Sequence, residues 1–162
     1  MKIFFNIGMI LSCLLGLLCQ SCEKEDTWAE FEPAEISFSG ITVGSTCSCG
    51  REFEASIPSE GLKFQVEAKD YYSVVSEIKV VLNDNFQDSK NYRPASGNPP
   101  YLDVDRSWLT GEWGNITYLQ EKAPYIMEIT VLPNTTSERR DIYLTFGGGY
   151  KISELKLIQD PE

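Results

Sequence analysis

The chain contains no histidine. That removes the Ser-His-Asp and Cys-His catalytic arrangements and any imidazole metal ligand. Basic residues are scarce too: 14 Lys and Arg stand against 24 Asp and Glu, for a formal net charge of −10. Affinity for nucleic acid comes from neutralising phosphates with Lys and Arg, so this balance argues against such a partner. Of the five cysteines, only Cys47 and Cys49 lie beyond residue 22. With no second pair and no imidazole, a four-ligand zinc site has nothing to build on. No internal repeat or low-complexity tract is present. The glycine triplet Gly147-Gly148-Gly149 leads into a strand pattern rather than a helix, so a phosphate-cradling loop fails its own context. The acids are numerous enough for a glycosidase-type carboxylate pair, but nothing singles one out. The chain is therefore read as non-enzymatic, with no cofactor and no metal.

One long apolar run exists, Ile3 to Cys19, preceded by Lys2. A spanning helix needs about 20 apolar residues, so the run reads as an export signal. It ends in Cys19-Gln20-Ser21-Cys22-Glu23. A small residue before Cys22 and charge just behind it resemble a bacterial lipoprotein signal with Cys22 as the lipidated first residue. Cys19 is the competing position, and an ordinary cleaved signal is the plainer alternative. The acidic run Glu23-Lys24-Glu25-Asp26 would then follow the anchor as a tether repelled by anionic headgroups. Removing residues 1–21 takes away one lysine and no acid, leaving 13 basic and 24 acidic side chains, net −11. The expected organisation is a signal peptide over 1–21, an acidic tether over 22–33 and one domain over 34–162.

Within that domain the dominant signal is period two. Ile36 and Phe38 alternate with Glu35, Ser37 and Ser39. Phe53, Ala55 and Ile57 alternate with acids and Ser56; after the turn Pro58-Ser59-Glu60-Gly61, so do Leu62, Phe64, Val66 and Ala68 with polar residues. These two runs read as a hairpin. Ile78, Val80 and Leu82 share a face of a further strand. Asn83 to Pro100 reads as a long irregular loop, in which Asp84, Asn85 and Asp88 offer oxygen ligands or simple turn chemistry; Asp103 and Asp105 follow. Tyr125, Met127, Ile129 and Val131 alternate, as do Ile142, Leu144 and Phe146, with Asp141, Tyr143 and Thr145 turned outward. With Lys151 to Gln159, three antiparallel strands in a row are expected. Cys47-Ser48-Cys49 either closes a local disulfide or carries free thiols. In an extended strand the two α-carbons would stand about 6.5–7 Å apart, so a bridge needs a bend.

Trp108-Leu109, Asn134-Thr135-Thr136, Glu138-Arg139, Ile142, Leu144, Gly147 to Gly149 and Gln159 follow one another in an order that resembles the C-terminal half of the BACON family of Bacteroidota surface modules. Relative to that family, Asn83 to Tyr101 is an insertion. The resemblance implies a glycan- or glycoprotein-binding role. Short alternating strands with turns about every 8–12 residues point to an all-β, immunoglobulin-like β-sandwich of about seven to nine strands. Aromatic side chains on a rigid scaffold suit sugar rings. Trp108 reads as core; Tyr92, Tyr101, Trp113 and Tyr118 read as the ligand-binding set. The expected protein is a non-catalytic module, lipid-anchored in the outer membrane and facing outward, that takes a polysaccharide or mucin-type glycan. The alternative is a structural spacer, or an assembly subunit contacting an envelope protein partner through strand edges.

Overall fold

The structure, a computed structural model, describes residues 31–94 and 106–162. The signal segment, Cys22, most of the tether, Tyr101, Asp103 and Asp105 lie outside the described residues. Eleven strands are present among the described residues, more than the alternation alone suggests. They are β1 (Ile36–Ser39), β2 (Gly44–Ser45), β3 (Glu52–Ile57), β4 (Leu62–Ala68), β5 (Val75–Leu82) and β6 (Lys90–Tyr92), then β7 (Thr110–Gly111), β8 (Gly114–Gln120), β9 (Tyr125–Val131), β10 (Arg140–Gly148) and β11 (Lys151–Gln159). The surplus comes from β2, β6 and β7, which are too short to show a period. Residues Phe31–Glu162 cluster as one unit.

Two sheets form. One has the order β1-β4-β9-β8-β7, the other β2-β3-β11-β10-β5-β6. Strand β3 runs parallel to β11, whereas the other strand pairs are antiparallel. Four strands of the first sheet follow the A-B-E-D order of an immunoglobulin domain. In the second, β11-β10-β5-β6 follows G-F-C-C′. The protein is an all-β sandwich of that type.

The alternation is realised as burial. Phe64, Val66 and Ala68 of β4 and Met127, Ile129 and Val131 of β9 face Ile142, Leu144, Phe146, Leu155 and Leu157 of the other sheet, all at 2% exposure or less. Each of these side chains other than Ala68 contributes roughly 1.5–3 kcal/mol by leaving water. Phe38 of β1 meets Phe53 of β3 and Phe146 of β10 edge-on, at 5.4 and 6.4 Å between ring centres, and so joins the layers. Trp108 and Leu109 are buried, as their pairing suggests.

Two of the three expected hairpins, β3–β4 and β9–β10, are instead crossings between sheets. Strand β3 pairs with β2 and β11, while β4 pairs with β1 and β9. Strand β9 lies between β4 and β8, while β10 lies between β11 and β5. A period of two names the buried face but not the neighbour, and both members of a crossing bury their faces against each other across the core. Only β10–β11 is the hairpin expected. The stretch read as an irregular loop contains a 3-10 turn at Phe86–Asp88 and strand β6. Ahead of residue 34, Glu32 exchanges backbone hydrogen bonds with Tyr150 and Ile152. Asp141, expected outward, is 1% exposed because Arg139 and Lys156 roof it at 2.8 and 3.0 Å. Cys47 and Cys49 are disulfide-bonded across a bend between β2 and β3, with α-carbons 5.2 Å apart.

Candidate functional site

Strand β6 carries the six-stranded sheet one strand past β5. Its register sets Lys90 beside Val80 and Tyr92 beside Ile78. Val80 in turn lies opposite Ile142, and Leu82 opposite Arg140. Directly paired residues share a face, so Lys90, Tyr92, Val80, Leu82 and Arg140 all turn toward the space between the sheets. Here that space is not filled. Val80 is half-buried and Leu82 is 37% exposed. They line a cleft of about 310 Å³, closed opposite by Glu112 and Trp113 of the β7–β8 turn and by Pro133, Thr135 and Thr136 of the β9–β10 crossing.

The aromatic wall is tightly built. A Cβ on Gly111 would sit 2.6 Å from the Tyr92 ring and 2.8 Å from the Trp113 indole, so only glycine lets both rings settle on this turn. Trp113 is 1% exposed, which corrects its reading as a surface platform. Its position between two glycines reflects close packing rather than display. Tyr92 stays half-exposed and lines the cleft. Lys90 donates to Glu112 across the mouth. That bond holds the Glu112 carboxyl below the usual carboxylate range and raises the Lys90 ammonium. Asp88 also lines the cleft and accepts from the Asn85 amide at 2.6 Å, while Asn85 Oδ1 accepts from Gln87 N. The Asn and Asp of this stretch therefore serve the turn.

Behind the cleft lies a buried polar network. Arg140 Nε and Nη2 donate to Gln159 Oε1, Nη2 to Leu132 O at 2.7 Å, and Nη1 to Glu112 O at 3.3 Å. Gln159 Nε2 donates to the carbonyls of Pro58, Ser59 and Leu132. Asn134 Nδ2 reaches the carbonyls of Glu138, Gln159 and Asp160. These bonds tie both inter-sheet crossings to the end of β11. Burial pushes the Arg140 guanidinium below the usual arginine range, although it stays charged at neutral pH.

Of the four residues read as a ligand-binding set, Tyr92 and Trp113 share this cleft. Tyr118 does not line it; it packs partly buried against the core beneath Arg106, whose guanidinium lies 4.6 Å from the ring centre. Burial pushes its phenol up to about 12. Tyr101 lies outside the described residues. Arg140, Lys90 and Glu112 escaped the sequence reading. Arg140 was open to it, because carrying the alternation of Phe146, Leu144 and Ile142 back two residues puts an arginine on the core face. Lys90 carried no signal, since its strand is three residues long.

No family model matches the chain, and no curated protein matches it. Among solved structures, it is similar to an NMR structure of a protein from Bacteroides thetaiotaomicron, at 20% identity and a TM-score of 0.46. The likeness covers 87% of this chain and 98% of that one.

Proposed function

We propose that this protein is a non-catalytic glycan-binding module, exported and held at the outer membrane by lipid on Cys22, with the β5–β6 cleft as its binding site. The observation that supports the site is the uncovered inner face of β5 and β6, where Tyr92 sits beside an apolar wall rimmed by charged and hydroxyl groups. A flat ring with polar neighbours is the usual environment for a pyranose. Within the cleft Glu112 is poorly suited to act as a general acid, because the bond from Lys90 pulls its pKa down. The resemblance to BACON modules points the same way.

The binding test is titration of the protein against polysaccharides and mucin, followed by tryptophan fluorescence. Tyr92→Ala should weaken binding about tenfold or more, the loss of roughly 1.4 kcal/mol of stacking and hydrogen bonding. Tyr72 and Tyr150 are exposed and pair at 5.5 Å, so Tyr72→Ala is the control. Loss on Tyr72→Ala but not on Tyr92→Ala would move the site. The anchor is tested separately: Cys22→Ala should release the protein from the membrane fraction, and retention there would refute lipidation at this residue.

A further inference from the structure

Arg140 is 6% exposed, yet each of its acceptors is a neutral oxygen: the Gln159 amide and the carbonyls of Leu132 and Glu112. Among the described residues no carboxylate pairs with it, although three arginines and five lysines of the domain each have one. A buried cation ordinarily has a counter-charge, because leaving water is costly for an unpaired ion. A guanidinium has five N–H groups, and four are engaged, which leaves one on Nη1. The Trp113 indole Nε1 is buried without a partner as well. Both side chains line the same cleft, and Lys90 stands at its mouth. The cleft wall thus includes, beside an aromatic ring, a guanidinium with one unengaged N–H and no carboxylate partner; of the two acids that line the cleft, Asp88 accepts from Asn85 and Glu112 from Lys90.

We propose that the cleft selects acidic saccharides: a sugar carboxylate supplies the counter-charge to Arg140 while the pyranose lies against Tyr92. This rests on the glycan-binding reading and narrows it. A charged donor meeting a carboxylate out of bulk water makes a strong, short hydrogen bond, and a neutral sugar in the same pose leaves the guanidinium unpaired. Discrimination against the neutral analogue is therefore about tenfold or more.

Calorimetry on the full chain in mild detergent tests this with two matched pairs: tetragalacturonate against its fully methyl-esterified form, and sialyllactose against lactose. The expected result is tighter binding of at least one acid than of its neutral partner, by about tenfold or more, weakening as salt rises. Arg140→Gln should erase that preference. If it fails to fold, as judged by circular dichroism, Lys90→Gln should reduce the preference and its salt dependence instead. Neutral and acidic partners binding alike would overturn the inference and leave the glycan reading standing. Binding of no saccharide would overturn both. Sodium acetate competing as well per mole as the sugar acid would show a bare anion site and overturn the saccharide assignment.

Discussion

Lys151 occupies an inward position of β11, where the alternation of Leu157, Leu155 and Ser153 would place an apolar residue. Its ammonium reaches Glu35 and Asp70, each at 2.6 Å, and Lys69 adds a second contact to Glu35. These bonds hold the Glu35 carboxyl down at about 2. At Asp70 burial pushes upward, but the bonds from Lys151 and Ser73 outweigh it and leave the carboxyl below its usual range. Asp141 follows the same balance under Arg139 and Lys156. Carboxyls lowered in the folded state contribute stability above their unfolded pKa, about 4, and lose it as pH falls through the folded value. The urea midpoint should therefore hold from neutrality to about pH 5, then drop between about pH 4 and 2. In Lys151→Met that acid slope should shrink, because two of the four depressed carboxyls, Glu35 and Asp70, lose their bond to Lys151, leaving Glu35 with Lys69 alone. An unchanged slope would show that the Lys151 cluster does not govern acid stability.

Strands β3 and β4 are joined by four residues that carry the chain from one sheet to the other, and β9 and β10 are joined across the same end. The two crossings lie side by side: Asn134 N donates to Ser59 O at 2.8 Å. Gly61 makes this approach feasible. Its φ is +93°, and a Cβ there would stand 2.3 Å from Val131 O, with backbone atoms of Leu132 and Pro133 also in the way. Gly149, in the β10–β11 turn, has φ +69° but nothing within 4 Å. Gly61→Ala should thus cost about 2–4 kcal/mol, combining backbone strain with a backbone clash, and Gly149→Ala about 1 kcal/mol, from strain alone. Urea unfolding of the two variants measures the difference. Equal costs would show that the crossing can yield. The sequence marks Pro58 to Gly61 as a turn, and it is one. That the turn leaves its own sheet is a property of where β9 and β11 lie, far along the chain.

Across both layers, packing concentrates on the central strands β4, β9, β10 and β11, and thins toward β6. Met127, 0% exposed at the middle of β9, should cost about 2–5 kcal/mol as Met127→Ala, through lost transfer energy and a residual cavity. Leu119, 53% exposed on β8, should cost less than about 0.5 kcal/mol as Leu119→Ala. A shift in unfolding midpoint for the first and none for the second would locate the stabilising core between the sheets. The cleft is the counterpart of that gradient. Where the six-stranded sheet runs on to β6, inward positions remain, and Trp113 and Pro133 opposite them leave the cleft between. Polar groups can then occupy core-facing sites, as Lys90 and Arg140 do.

The amino-acid order was sufficient to place β4, β9, β10 and β11, because successive side chains on a strand point opposite ways and each alternation records one buried face. It also singled out Tyr92, Trp113 and Tyr118 as aromatics, but not that the first two would share a cleft, that Trp113 would be buried, or that Tyr118 would lie elsewhere. Which strand lies beside which, whether a turn stays in its sheet, and where the layers part depend on contacts between residues far apart in the chain. Those contacts are chosen by closing the whole core at once. No local window contains the partner, and so the pairing, the Arg140–Gln159–Asn134 network and the cleft in front of it exist only once both sheets have packed.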